Sequence, residues 1–401
     1  MKILYHHRTQ AKGVEGVHIW GVIKNLKELG HQVYVVSLVN DSNVETQVSS
    51  KEKAPSKYRF SSLFREFLHV FANHAPNFIF RLSELFYNLI ALSKLIKTLN
   101  SQDIDIIYER YAYFNFSGVL ASKLYKKPLI LEVNIFTGLN DARSLALQPI
   151  AKAIEKRVFK SCDAIFVISD YLKSEMIRAY ALNEGKIHVQ PNAIDPDQLI
   201  NDVAQDAPCI ESINPESVTI GFLGRLLPWY KLHELATVFA SIQNRCPQTQ
   251  LVFIGDGPER VNLENELRKS NVLKNVIFCG SVTHAQALTL LRKCDIGVIP
   301  STNMWGSPMK LFEYMGSGLP VVAPNIGVIS SIMADSIHGR LFEYDNFNDF
   351  EESLLFLIKN EDLRVTMGKQ AKKHVIENHS WKKVSEHVID VAEDILLKKR
   401  Q

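Results

Sequence analysis

Short apolar runs alternate with stretches of helical period along the whole chain, in two successive series. The first opens on KILYHH, a strand expected to begin at the second residue. A turn holding Gly13 and Gly16 leads into an amphipathic run to Leu29, Gly30 and His31 stop it, and VYVVSL follows as a strand. DIIYERY and PLILEVN read as strands with the helix GVLASKLY between them. A long helix starts near Leu147, and AIFVIS and KIHVQPN complete the series. The polar stretch from Leu199 to Ser217 breaks the pattern and reads as a linker. A second series then runs VTIGFLG, LVFIGDG, NVIFCG, DIGVIP, PVVAP and GRLFE, with helical stretches between. Such alternation predicts an α/β chain with two parallel, doubly wound sheets. The expected domains are 1–198 and 218–378, with a terminal helical piece, 379–401, packing back on the first. Ligands of open α/β sheets bind beyond the carboxyl ends of the strands, so the expected site is a cleft between the halves.

One segment departs from this rhythm. Within an insert at about 51–75, Phe60, Phe64, Phe67 and Phe71 recur at helical spacing, bordered by Lys57, Arg59 and Arg65. Two readings stand: docking of the phenylalanine face on the first domain, or contact of residues 57–71 with an anionic membrane surface. In the next helix Leu82, Leu85, Phe86, Leu89 and Ile96 share a register and are expected in the core.

Composition narrows the function classes. Hydrophobic and charged contents of 46% and 22% are those of an ordinary globular protein. The net charge of +3 is too small to argue for nucleic acid, but residues 51–100 alone carry +5 and the remainder −2. The five cysteines form no CxxC pair, which points to reduced thiols and no zinc site. No apolar run reaches the roughly 18 residues needed to cross a bilayer, and MKILYHHR is too short for a signal peptide. A cytoplasmic protein is expected, peripheral on the inner face of the cell membrane if the insert touches lipid.

Candidate chemistry concentrates in the second half. In WGSPMKLFEYMGSGLPVVAP, Ser307 and Pro308 read as a hydroxyl cap and a first-turn proline. The free amides behind them form an anion site, and Glu313, about one and a half turns on, offers a carboxylate to hydroxyls of the same ligand. Together these describe a nucleotide. GRLLPWYKLHEL places Arg225 and Lys231 beside a strand-to-helix turn, a cation pair suited to a diphosphate or, equally, a solvated basic loop. GDGP at 255–258 is a second such turn, while GxGxxG and Walker motifs are absent. In the first half Glu109, Arg110, Glu132 and Asn134 lie near strand ends and are acceptor-site or catalytic candidates, with a Glu109–Arg110 capping network as the alternative. His6, His7 and His18 are expected nearby. Asp103-Ile104-Asp105 precedes a strand and Asp195-Pro196-Asp197 lies in a turn, so neither is expected to hold a metal.

GRLLPWYKLHEL, LVFIGDGPE, NVIFCGSV and SPMKLFEYMGSGLPVVAP, in that order, resemble the family 4 glycosyltransferases. The opening strand with its glycine loop and SDYLKSEM…IHVQPNAID extend the resemblance over nearly all of the chain. It implies a GT-B architecture, two Rossmann-like domains facing a central cleft, and retaining transfer from a nucleotide-diphosphate sugar without a required metal or other cofactor. By the same resemblance Arg225 and Lys231 hold the diphosphate and the amides of Met309, Lys310 and Leu311 cradle phosphate. Glu313 binds ribose, and Gly13 and Gly16 approach from the other domain. Gly224, Gly255 and Val282 line the donor; the acceptor is a saccharide or a lipid-linked sugar, as in cell-surface polysaccharide assembly. Two positions depart from the family pattern: Trp305 stands where a donor-sugar glutamate is common, and Asn134 where a histidine is. A nucleotide-sugar epimerase or a non-catalytic nucleotide-sugar-binding subunit are the alternative readings.

Overall fold

The computed structural model describes residues 1–9, 11, 13–37, 77–139, 147–201, 204 and 206–400. Lys57, Arg59, Phe60, Phe64, Arg65, Phe67 and Phe71 therefore lie outside the described residues. The chain divides into two units, residues 1–167, 172–190 and 385–401 in one, and 168–171 with 191–384 in the other.

The first unit is built on β1 (Lys2–His7), β2 (Gln32–Ser37), β3 (Ile106–Arg110), β4 (Leu129–Val133), β5 (Ala164–Val167) and β6 (Ile187–Val189). All pair in parallel, in the order β2-β1-β3-β4-β5-β6. Helices α1 (Gly13–Glu28), α2 (Asn77–Ser101), α3 (Ser117–Tyr125), α4 (Gln148–Ser161) and α5 (Asp170–Tyr180) make the crossovers. Strand order reverses between β1 and β3, where the loop after β1 enters α1. A methyl group on Gly16 would meet the Ala11 carbonyl oxygen at 2.3 Å, so no side chain fits there.

Helix α2 turns a different face inward from the one its sequence suggested. Tyr87, Ala91, Leu95 and Leu99 are buried, whereas Phe86 and Leu89 are each 66% exposed. The stripe one residue further along wins because Asn88 fixes the helix rotation. Its amide donates to Phe114 O at 2.9 Å and its oxygen accepts from Phe116 N at 2.7 Å.

The second unit has α6 (Pro196–Asn201) and then β7 (Val218–Leu223), β8 (Thr249–Ile254), β9 (Val276–Phe278), β10 (Ile296–Val298), β11 (Val321–Pro324) and β12 (Gly339–Phe342). Their order is β12-β11-β10-β7-β8-β9, again all parallel. Between them run α7 (Leu232–Arg245), α8 (Arg260–Lys269), α9 (His284–Leu291), α10 (Met309–Gly316) and α11 (Gly327–Ser330). Strand β8 shows why its sequence is an unbroken apolar run. Leu251 and Phe253 enter one core and Val252 and Ile254 the other, because successive side chains point to opposite faces of a sheet covered on both sides.

Helices α12 (Phe347–Lys359) and α13 (Glu361–Asn378) finish the second unit, and α14 (Trp381–Arg400) passes into the first. There Ser385 Oγ donates to Val22 O of α1 at 3.3 Å.

At the second reversal, β7 and β10 are paired only through Ile220–Ile296 and Gly221–Gly297. Beyond that the strands part, and Tyr314 of α10 occupies the opening. Its hydroxyl accepts from Leu223 N at 2.7 Å and donates to Val298 O at 3.1 Å. Its ring covers Gly297, where a methyl group would lie 2.5 Å from Tyr314 Cγ. Removing that hydroxyl strands a donor on one strand and an acceptor on the other. Tyr314→Phe is expected to lower unfolding free energy by about 1–3 kcal/mol, measured by urea denaturation against wild type.

Candidate active site

Two polar clusters form, one in each unit, both at the carboxyl ends of strands beside the point where strand order reverses. Each is described within its own unit.

In the second unit the loops after β7 and β8 lie against each other. Gly224 N donates to Ile254 O at 2.9 Å and Leu226 N to Asp256 O at 3.0 Å. Gly255, at φ +134°, sits so close that a methyl group would meet Gly224 O at 2.1 Å. Only glycine satisfies both the backbone angle and the approach. Arg225, on this loop, is exposed. Val282, after β9, packs on the adjoining core.

Helix α10 begins one residue later than the sequence suggested. Ser307 does not cap it. Instead Ser307 Oγ accepts from Asn192 N at 3.0 Å, and Asn192 Nδ2 donates to Ser307 O at 2.6 Å. Pro308 stands at the cap position with no side-chain hydrogen bond. Leu311 N donates to Pro308 O at 3.0 Å, so the Leu311 amide, expected at a phosphate, is already used. The amides of Met309 and Lys310 have no acceptor within the helix, as at any helix start.

The side chain of Lys310 turns back under this loop. It is 7% exposed, its Nζ lies 3.5 Å from the centre of the Tyr230 ring and 4.2 Å from that of Phe222, and it has no hydrogen-bond partner. A methyl group on Gly224 would come within 3.1 Å of that amine. Burial lowers the Lys310 pKa to about 7, against the opposing pull of Glu313. Lys231 goes elsewhere. It occupies left-handed backbone at φ 51°, and its Nζ is 2.5 Å from Asp345 Oδ1, beyond β12. The hydrogen bond to Asp345 raises its pKa. Expected as a partner of Arg225, Lys231 is thus committed to an aspartate, whereas the Lys310 amine has no hydrogen-bond partner.

Glu313 has a neighbour that no motif announced. His284 Nε2, on the first residue of α9, lies 2.9 Å from Glu313 Oε1. The available signal was position alone, directly behind Thr283, whose side chain and Gln286 form a capping box that fixes the start of α9. Trp305 exposes no carboxylate to replace the missing glutamate. Its carbonyl accepts from Ser169 Oγ at 2.7 Å, and its indole N–H is buried without a partner.

In the first unit Glu132 is the hub. Arg110 Nη1 forms a short charged contact with Glu132 Oε1, Asn134 Nδ2 donates to the same oxygen at 2.7 Å, and Tyr108 donates to Oε2 at 3.1 Å. Arg110 Nη1 also lies 2.8 Å from His18 Nδ1. Burial opposes charge on Glu132, yet Arg110, His18 and the donated hydrogen bonds outweigh it and hold the carboxyl below its ordinary pKa. Burial pushes His18 down to about 4, so it is neutral, with Nδ1 accepting from Arg110. Glu132, expected as a catalytic group, has both oxygens engaged, by Arg110, Asn134 and Tyr108. The amide oxygen of Asn134 is the unpartnered acceptor of the cluster.

Glu109 and Arg110 make no network with each other. Neighbours on a strand point to opposite faces, so Glu109 turns under α2 and α3, fully buried, with Oε2 2.5 Å from His6 Nδ1. It is not part of the Glu132 cluster. His6 and His7 are likewise buried, and both ring nitrogens of His7 lack partners.

A pair of parallel, doubly wound sheets with these motifs is the GT-B class of glycosyltransferase. The family models described as Glycosyltransferase Family 4 and Glycosyl transferases group 1 match residues 13–198 and 206–374. The chain belongs to the family 4 glycosyltransferases and is a transferase. It is 26% identical over 332 residues to an uncharacterized glycosyltransferase, MJ1178, of Methanocaldococcus jannaschii, covering 82% of this chain and 86% of that one. Its fold resembles a glycosyltransferase from Rickettsia africae, with TM-score 0.74, 17% identity and 98% of each chain covered. It also resembles Anabaena HepE, solved with UDP-glucose, with TM-score 0.69, 16% identity, and 98% of this chain and 100% of that one covered.

The Glu132 hub makes a stability prediction. Arg110→Met leaves a buried carboxylate without its cation and is expected to cost about 3 kcal/mol at neutral pH, read by urea unfolding. Adding Glu132→Gln should restore most of the loss. The single variant's deficit should also shrink as pH falls and Glu132 takes up a proton.

Proposed function

We propose that this enzyme is a retaining glycosyltransferase. It moves a hexosyl or N-acetylhexosaminyl group from a nucleotide-diphosphate sugar to a saccharide or lipid-linked acceptor in cell-surface polysaccharide or glycoconjugate synthesis. The observation that carries the donor reading is the buried amine of Lys310, unpaired at the start of α10 and against Gly224. A buried amine with no hydrogen-bond partner in the chain gains most in charge stabilisation from an anion that arrives from outside, and a diphosphate suits it. Arg225 and the amides of Met309 and Lys310 add donors to the same group. Glu313, steadied by His284, would accept from ribose hydroxyls. The complex of HepE with UDP-glucose supports a nucleotide sugar of this kind.

Catalysis then rests on stabilising the departing diphosphate by fixed cations and helix amides, which needs no metal ion. Asn134 and Arg110, held by Glu132, would face the acceptor, with His18 behind them. Gly13 and Gly16 keep the start of α1 bare for donor phosphates. The sequence of residues 57–71, Phe-rich and basic, supports a cytoplasmic enzyme working at the inner face of a membrane.

Thermal-shift screening against UDP-, GDP-, ADP- and dTDP-sugars should identify the donor as the ligand that stabilises the protein. Glu313→Ala and Lys310→Met are each expected to weaken donor binding about tenfold or more, with Lys231→Ala losing less. Equal binding by wild type and Lys310→Met would remove the role assigned to Lys310. A pH series tests the same point. Free Lys310 is protonated below pH about 7, and a bound diphosphate raises its pKa, so binding takes up a proton above that pH. Donor affinity should therefore fall by up to about tenfold per pH unit above neutrality, and Lys310→Met should flatten this slope. Glu313 and Tyr230 are the other ionisable groups facing the amine; burial raises the Tyr230 pKa, so it stays neutral across the range. Product anomers read by NMR test retention.

A further inference from the structure

The second unit carries a pair of thiols that the transfer reaction does not use. Cys209 stands in the segment before β7, at the start of a short turn, Ile210–Ser212, on left-handed backbone with φ 60°. That conformation is uncommon for a residue with a side chain. Its thiol donates to the carbonyl of Phe278, the last residue of β9, at 3.7 Å. The next residue is Cys279, whose N–H donates to Phe253 O of β8 at 3.0 Å. Cys279 is buried in one core of the unit, and Cys209 packs against that core half-buried. The two sulfurs are within hydrogen-bonding reach of each other.

The pair is asymmetric. Burial, then the charge of Cys209 and a hydrogen bond with it, push the Cys279 thiol up to about 12, so its proton stays in place at neutral pH. A third thiol in the same core, Cys294, is also buried; it donates to Leu290 O at 3.5 Å, and burial raises its pKa too. Of the three, Cys209 is the one that a small oxidant can meet. Its segment also runs along α9, where Ala204 N donates to Thr289 Oγ1 at 3.0 Å and Gln286 Nε2 to Asp206 O at 3.3 Å. A bond from Cys209 to Cys279 would fasten that segment beside the start of α9, the point from which His284 reaches Glu313.

We propose that Cys209 and Cys279 form a redox-responsive pair, which a small hydroperoxide closes to a disulfide and a thiol reductant reopens. Cys209, as thiolate, attacks one peroxide oxygen and the O–O bond breaks. With hydrogen peroxide the other oxygen departs as hydroxide, takes up the proton that Cys209 released, and is water; the Cys209 sulfur is left as a sulfenic acid. The neighbouring Cys279 sulfur then attacks the Cys209 sulfur. The S–S bond forms, the S–O bond breaks, and the Cys279 proton leaves with that hydroxide as a second water. Two electrons pass from the sulfurs to the peroxide. The buried, protonated Cys279 suits this second role, since it resolves the sulfenic acid where it forms and is shielded from the oxidant itself. The inference is independent of the donor reading, because neither thiol belongs to the Lys310 and Glu313 cluster.

The test treats the reduced full chain with excess hydrogen peroxide, then maps its cysteines by peptide mass spectrometry with and without dimedone, which traps sulfenic acid. Wild type is expected to lose two of its five free thiols to a Cys209–Cys279 cross-link within one chain, and dithiothreitol should restore both. Cys279→Ala removes the resolving thiol, so the dimedone adduct on Cys209 should rise at least about tenfold over wild type. Cys209→Ser, a change on the half-buried segment that spares the core, should leave Cys279 reduced under the same treatment. Any of four results overturns the proposal. These are no cross-link in oxidised wild type, a bond between two chains, a bond from Cys279 to Cys294, or oxidation of Cys279 in folded Cys209→Ser at the wild-type rate.

Discussion

Everything in the polar cluster of the second unit depends on two parallel strands that stop pairing. Once β7 and β10 part after Gly221 and Gly297, their next polar groups need new partners. The Tyr314 hydroxyl supplies both, donating to one strand and accepting from the other. That bridge positions α10, and with it Lys310, Glu313 and the first amides of the helix. The bareness of Gly297 is the other half of the same contact, since the tyrosine ring fills the space a side chain would need.

The alternation of strands and helices was legible from spacing alone, because buried parallel strands are uninterrupted apolar runs and glycine marks their ends. Strand β1 starts at Lys2 and α1 ends just before Gly30, at φ +86°, as the pattern indicates. What spacing could not settle was rotation. In α2 two adjacent stripes are both apolar, and the choice between Leu85–Phe86–Leu89 and Tyr87–Ala91–Leu95 is made by Asn88, a polar residue whose partners lie far along the chain. The same limit applies to the cations. Lys231 and Lys310 are alike in sequence; tertiary structure brings Asp345 to one and encloses the other against the Tyr230 and Phe222 rings.

In the first unit, the polar residues near strand ends were visible as a set, but their roles follow from strand parity. Glu109 and Arg110, adjacent in sequence, serve opposite faces. One is sealed with His6 and the other is fastened to Glu132. The Glu132 carboxylate gathers three donors, from Arg110, Asn134 and Tyr108, so a proton on it would weaken the set that it holds together.

The placement of α14 has a consequence for how the molecule is made. Residues 385–401 follow the whole second unit along the chain, yet they belong to the first unit. Val388 and Ala392 of that helix are buried, and Ser385 ties it to α1. During translation, then, the amino-terminal sheet must wait with one helical layer unfinished while the whole second sheet emerges and folds. Completion comes only once α14 has emerged, so a chain that stalls before it leaves the first sheet partly uncovered.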